Sequence, residues 1–339
     1  MGNHEQLYRL QEEAIRSLYT EVKERARSAA ELLPGTPGTL VKRAGTGHEY
    51  WYRSFYPVPR KRSEQFVGTV NNAAAYETMR NRIAHSEWTS KQVGALSKLG
   101  YIVADKLSAG ILVELHNRGV FRAGMVVSGA LAYANWLNEF GAVAPTRGAQ
   151  VHLELARRQP LKLPTAVTFA SILQTTQLAF TEIQGVSRKK PSTSFAVDGG
   201  LTVDLVAPGA IAGEGIAIPE LDCHAQTVPF YAYLLEASRP AVILAGGHCI
   251  PVMLPDAARM IWYSFYMSAR HKDAAAAENE LFKGATLAAI LIEQNGLVLR
   301  ESYRGAPREL RNAAHSRLAR LEGVLAEHVQ VRDEFRKLR

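Results

Sequence analysis

The sequence predicts an α+β fold: a mixed sheet flanked by helices, with a small N-terminal β meander and a helical C-terminal region. Three observations carry that expectation. An apolar run from Val120 to Val127 passes through the small residues Ser128, Gly129 and Ala130 into a helical pattern over Leu131 to Phe140. A period-two run follows at Gln150 to Leu155, and helical periodicity dominates both ends of the chain. With 339 residues and 47% hydrophobic content there is enough apolar material for a substantial core.

The elements divide the chain into an N-terminal helix (1–34), a meander (35–70), a helical connector (71–118), a central core (119–250) and a helical C-terminal region (251–339). From Glu5 to Leu33, Leu7, Leu10, Ala14, Leu18 and Val22 recur at three- and four-residue intervals, and Pro34-Gly35 ends the helix they predict. Three β-prone runs follow, at Thr39 to Lys42, Glu49 to Tyr56 and Glu64 to Val67. Turn signals at Gly45-Thr46-Gly47 and Pro57-Val58-Pro59 separate them. Helical spacing then covers Asn72 to Ser86 and Ser90 to Asn117, closed by Gly119.

The meander's second strand alternates Tyr50, Tyr52, Ser54 and Tyr56 with Trp51, Arg53 and Phe55, among Lys42, Arg43, Arg60, Lys61 and Arg62. Two readings fit. Aromatic faces beside cations can stack bases and neutralise phosphates, which makes Arg60, Lys61 and Arg62 candidate nucleic-acid contacts. Alternatively the small sheet packs its aromatics against the neighbouring helices for stability and keeps its basic residues, Arg53 among them, solvated.

Composition narrows the classes. The formal charge of +8 permits contact with polyanions without requiring it. Cys223 and Cys249 form no CxxC pair, so they read as two free thiols of a reducing cytoplasm rather than a disulfide framework or a zinc site. No secretory h-region and no run of about 18 apolar residues is present, so the expected location is cytoplasmic, with no membrane partner.

The central segment carries the chemistry. A strand, a small-residue turn and a helix aim backbone N–H groups at a phosphate. In the run after Pro145-Thr146, period two puts Gln150, His152 and Glu154 on one strand face, expected to look toward Gly129. The order GTPGTLVKR with YWY, GVFRAGMVVSGALAY, TRGAQVHLEL and LTVDLVAP resembles the nucleotidyltransferase superfamily. It is most similar to a bacterial branch that joins such an aromatic meander to the catalytic core.

The resemblance implies that the turn holds a nucleoside triphosphate, that two acids on the next strand bind divalent metal, and that a third acid on a later strand helps activate the attacking hydroxyl. Carried over by position, the nucleotide-binding turn falls on Ser128, Gly129 and Ala130, and the third acid on Asp204. The two metal-binding acids fall on Gln150 and His152, a neutral amide and an imidazole. Magnesium prefers hard anionic oxygen, so metal binding of the family's kind is expected to be weakened.

Three hypotheses follow. One is a nucleotidyltransferase-fold protein with weakened or lost transfer that retains nucleotide or nucleic-acid binding. Another is an active enzyme with an altered metal site of His152, Glu154 and Asp204, with Glu154 and Asp204 catalytic and Mg²⁺ or Mn²⁺ as cofactor. The third is a regulatory module that binds protein. Lys189 and Lys190, in the basic loop Ser187 to Lys190, are further candidate nucleic-acid contacts, or a solvated loop. GGHCIP reads as a strand end and turn. The arginine-rich helical pattern after Pro307 suits docking on the core or a homo-oligomer.

Overall fold

The computed structural model describes residues 6–29, 31–45, 47–145, 152–183 and 191–338. Its centre is a seven-stranded mixed sheet. One path runs Gly215–Ile218, Cys223–Val228, Leu201–Pro208, His152–Arg157 and Met125–Ser128. Leu201–Pro208 lies parallel to His152–Arg157 on one side and to Cys223–Val228 on the other. Its first half also pairs with Ser194–Val197, which continues the sheet to Phe180–Ile183. Leu201, Val203 and Leu205 are buried while Thr202 and Asp204 keep partial exposure, so one face of the strand enters the core and the other carries polar groups.

The helix Gly129–Glu139 leaves the Met125–Ser128 strand directly and packs back on the sheet. The run from Val120 is strand only over its last third. Gly119 and Gly124, both at positive φ, hold residues 119–124 in tight turns instead. The two connector helices also divide elsewhere than the spacing suggests, at Ala73–Lys98 and Lys106–Asn117. Nothing in Glu87-Trp88-Thr89 breaks a helix. Gly100, at φ +94°, and the Asp105 cap on Leu107 and Ser108 make the break.

GGHCIP is the turn of a hairpin, Arg239–Ala245 with His248–Leu254, which carries strand structure past residue 250. Beyond it come Ala257–Arg270, Ala274–Asn295, Leu299–Gly305, Arg308–Val324 and Val329–Arg336. At Gly284 a β-carbon would stand 2.6 Å from the Phe265 ring, which lets the first two of these helices approach closely. The two ends of the chain meet: Tyr8 donates to Glu293 and stacks on His328, whose Nδ1 contacts the same carboxylate. Among the described residues no helix is long and apolar enough to cross a membrane.

The N-terminal helix is shorter than the periodicity suggests, Glu13–Ser28, because Arg9–Leu10 pairs as a strand with Ala142–Val143. The meander strands are longer, Thr39–Ala44, Glu49–Val58 and Lys61–Thr69. Pro59-Arg60 makes the tight turn, with Arg60 at φ +66°. Lys61 and Arg62 therefore lie in a strand, Arg62 bonded to Ser54 and close to Glu64.

Arg53 departs most from its sequence reading as a solvated cation. Its side chain is wholly buried over Phe55 and donates to the carbonyls of Pro34, Thr36 and Pro37 and to Gln65. Burial, then the charge of Arg82, lowers its pKa to about 10, still charged at neutrality. The guanidinium thus fastens the helix-to-meander linker onto the sheet. Arg53→Met leaves those carbonyls unpaired, and we expect a loss of about 3 kcal/mol in urea denaturation. A loss under about 0.5 kcal/mol would show that the linker carbonyls find water instead.

Candidate functional site

Three neighbouring strands set the site by register. Ser128 stands opposite Glu154, and Glu154 opposite Asp204. The strand that carries His152 and Glu154 is therefore sandwiched between the small-residue turn and the later acid. His152 lies on the same face two residues earlier, and its Nδ1 is 3.2 Å from Asp204 Oδ2. Both side chains are partly exposed, His152 more so.

Gly129 stands at φ +67°, and a β-carbon there would sit 3.4 Å from the Glu154 side chain. That β-carbon would be in ordinary contact, so it is the left-handed backbone that calls for glycine here. Ser128, extended and buried, is the N-cap of Gly129–Glu139, yet its side chain caps no N–H of the first turn. That turn holds no acidic residue. Unpaired N–H groups and the positive end of the helix dipole favour an anion at Gly129 and Ala130.

The Ser128 hydroxyl goes to Glu154 instead. Ser128 Oγ donates to Glu154 Oε1 at 2.5 Å, and the Tyr231 hydroxyl donates to the same oxygen at 2.5 Å. Tyr231 is buried and packs edge-on against Tyr263. Burial, then the negative charge of Glu154, raises the Tyr231 pKa far above the ordinary tyrosine value, so it remains a donor. Burial and Glu154 raise Tyr263 in the same way. Sequence alone does not reveal Tyr231 as a member of the site. It lies 77 residues from Glu154 on the short helix Tyr231–Leu235, with no motif linking the two.

This donor set can be weighed against a two-metal centre. Such a centre needs several carboxylate oxygens around two ions about 3.5–4 Å apart. Here one oxygen of Glu154 accepts two hydroxyl protons, and Asp204 has an imidazole beside it. Among the described residues no three His, Cys, Asp or Glu side chains gather as a metal-holding set. The described residues at this face do not fit a pair of magnesium ions. What they form is a helix start left uncapped by Ser128, beside a histidine and an aspartate that are partly exposed.

Gln150, Lys189 and Lys190 lie outside the described residues. Arg60 and Lys61 are exposed at the meander's hairpin end. Cys223 is partly buried and Cys249 fully buried, both as free thiols. Burial first, then nearby acids, raises the Cys223 thiol to about 12.

Comparison with known proteins agrees with the geometry in kind. Residues 106–307, more than half the chain, match a family model described as nucleotidyltransferase. That stretch spans the whole Ser128, Glu154 and Asp204 register. No curated protein and no solved structure matches the chain.

Ser128→Ala and Tyr231→Phe each remove one hydroxyl from the same carboxylate oxygen, so their stability losses should not add. We expect a double-mutant coupling of about 0.5–3 kcal/mol in urea denaturation, and additive losses would show two independent bonds. The raised pKa of Tyr231 gives a second test. Above about pH 10 the unfolded chain releases the tyrosine proton while the folded chain keeps it, so stability falls as pH rises. Tyr231→Phe should flatten that decline, and an unchanged slope would assign it to the other buried tyrosines.

Proposed function

We propose, from the premise that the chain belongs to the nucleotidyltransferase family, that it binds a nucleotide or nucleic acid with weakened or lost nucleotidyl transfer. The observation that carries this reading is the hydroxyl pair on Glu154. The carboxylate nearest the small-residue turn already accepts from Ser128 and Tyr231, while sequence places an amide and an imidazole where the family keeps its metal-binding acids. Catalysis in this class is positioning plus electrostatic stabilisation around metal, so a site without those charges loses most of it. Phosphate binding at a helix start requires no metal and survives that loss.

In this reading the N–H groups of Gly129 and Ala130 receive the phosphates of a nucleoside triphosphate, with Ser128 holding the turn closed onto Glu154. His152 and Asp204 lie beside them on the two neighbouring strands. Arg60, Lys61 and Arg62 of the meander, with Lys189 and Lys190, serve as contacts for a nucleic-acid backbone.

The proximity of His152 to Asp204 favours a second reading, an enzyme with an altered His/Glu/Asp site that uses Mn²⁺ or Mg²⁺. It requires Glu154 to leave its two hydroxyls. In that case Glu154→Ala or Asp204→Ala abolishes transfer; unchanged transfer in both removes it. A protein-binding regulatory role is the outcome if calorimetry detects no triphosphate with or without either metal.

The deciding experiment pairs calorimetry with radiolabel transfer from each nucleoside triphosphate. The wild-type chain should bind and transfer little, while Gln150→Asp with His152→Asp should raise metal-dependent transfer by at least about tenfold. Transfer by the wild-type chain at the level of the restored variant would contradict the proposal. Replacing Arg60, Lys61 and Arg62 together should lower the salt dependence of nucleic-acid binding, by up to about one unit of slope for each phosphate that is no longer neutralised. An unchanged slope would place the phosphate-binding cations elsewhere than the meander.

A further inference from the structure

A second place in the molecule has the chemistry of a ligand site. Between the helices Glu13–Ser28 and Ala73–Lys98 and the hairpin turn Gly246-Gly247 lies a cavity of about 580 Å³. That volume falls in the range of small-molecule sites, about 300–1,000 Å³. Ala26, Ala29, Leu32 and Leu33 give it an apolar wall, and Arg25, Arg82, His85, Thr89 and His248 supply polar groups. A second cavity of about 370 Å³ shares Ser86, Gly247 and His248 with it and adds Arg60 and Lys106. Among the described residues Glu31 is the one acid lining either cavity.

The fold leaves this positive charge poorly balanced. Burial and then the charge of Arg25 lower the His85 pKa; burial and the nearby Arg53 lower that of His248; Arg82 lowers that of Arg53. Each cation thus raises the cost of the next. The acids that do pair with the arginines stand outward: Glu31 with Arg82 at 3.2 Å and Glu21 with Arg25 at 2.7 Å, with side chains 64% and 49% exposed. Exposed pairs of this kind are worth little and exchange readily for a bound anion. Arg25 is already held in place, stacked 4.0 Å from the Trp88 ring.

His248 lines both cavities, held with its Nε2 3.0 Å from the Leu33 carbonyl.

We propose that this cleft binds a nucleotide-sized phosphate ester, its phosphate between Arg25 and Arg82 and its organic part against the apolar wall of Ala26, Ala29, Leu32 and Leu33, beside His248. The site is separate from the Ser128–Asp204 face and does not rest on the function proposed for that face. Two guanidinium groups match phosphate oxygens in bidentate fashion, and the apolar wall suits an organic body more than a bare ion.

The test is calorimetry of the full chain with AMP, pyrophosphate and citrate, run alongside proton NMR of the His85 and His248 imidazoles. AMP should saturate and shift both imidazoles, and Arg25→Gln and Arg82→Gln should each weaken it at least about tenfold. Gly129→Val, which blocks the turn on the other face, should leave that affinity unchanged. If the valine variant does not fold, the imidazole shifts in the wild-type chain still locate the ligand. AMP binding that moves neither histidine and ignores both arginines would overturn the proposal. Citrate or pyrophosphate binding as tightly as AMP would overturn the assignment to a phosphate ester.

Discussion

The architecture around the site depends on one carboxylate and two hydroxyls. Glu154 occupies the middle strand of three, in register with Ser128 on one side and Asp204 on the other, and Tyr231 reaches it from the short helix Tyr231–Leu235. A half-buried carboxylate is costly unless donors replace the water it loses. Ser128 and Tyr231 do so at one oxygen, and in doing so fix the distance between the turn and the sheet. Gly129 completes the arrangement, because its left-handed backbone, at φ +67°, strains any other residue there.

The same interaction sets the chemistry. An acid that accepts two short hydrogen bonds is a structural anchor before it is a metal ligand, and its neighbours on the open side are an imidazole and a single carboxylate. The helix start remains unaltered, with its N–H groups uncapped by Ser128. Under the proposed function, binding and catalysis separate in this chain: phosphate would be received by local backbone, whereas organising metal requires side-chain charge, and a fold can outlast the loss of the second.

Much of this is legible in sequence because it is local. The turn at Ser128-Gly129 and the alternation of His152 with Glu154 are patterns of fewer than ten residues each, and the approach of His152 to Asp204 follows once the two strands pair in parallel. The rest is long-range or hinges on a single backbone angle. Tyr231 joins Glu154 through tertiary packing alone. Arg53 reads as one more surface cation, since strand alternation does not say that its partners are carbonyls of a linker folded over it. The Pro57-Val58-Pro59 turn falls at Pro59-Arg60 because Val58 and Lys61 still pair. The basic cleft draws on residues from three separated segments, and no window of sequence contains it.

The most direct test is a crystal structure of the chain with a non-hydrolysable nucleoside triphosphate and Mn²⁺. The account predicts phosphate oxygens on the N–H groups of Gly129 and Ala130 while Glu154 keeps its bonds to Ser128 and Tyr231. Glu154 released from both hydroxyls, and bridging a pair of manganese ions with Asp204, would contradict it.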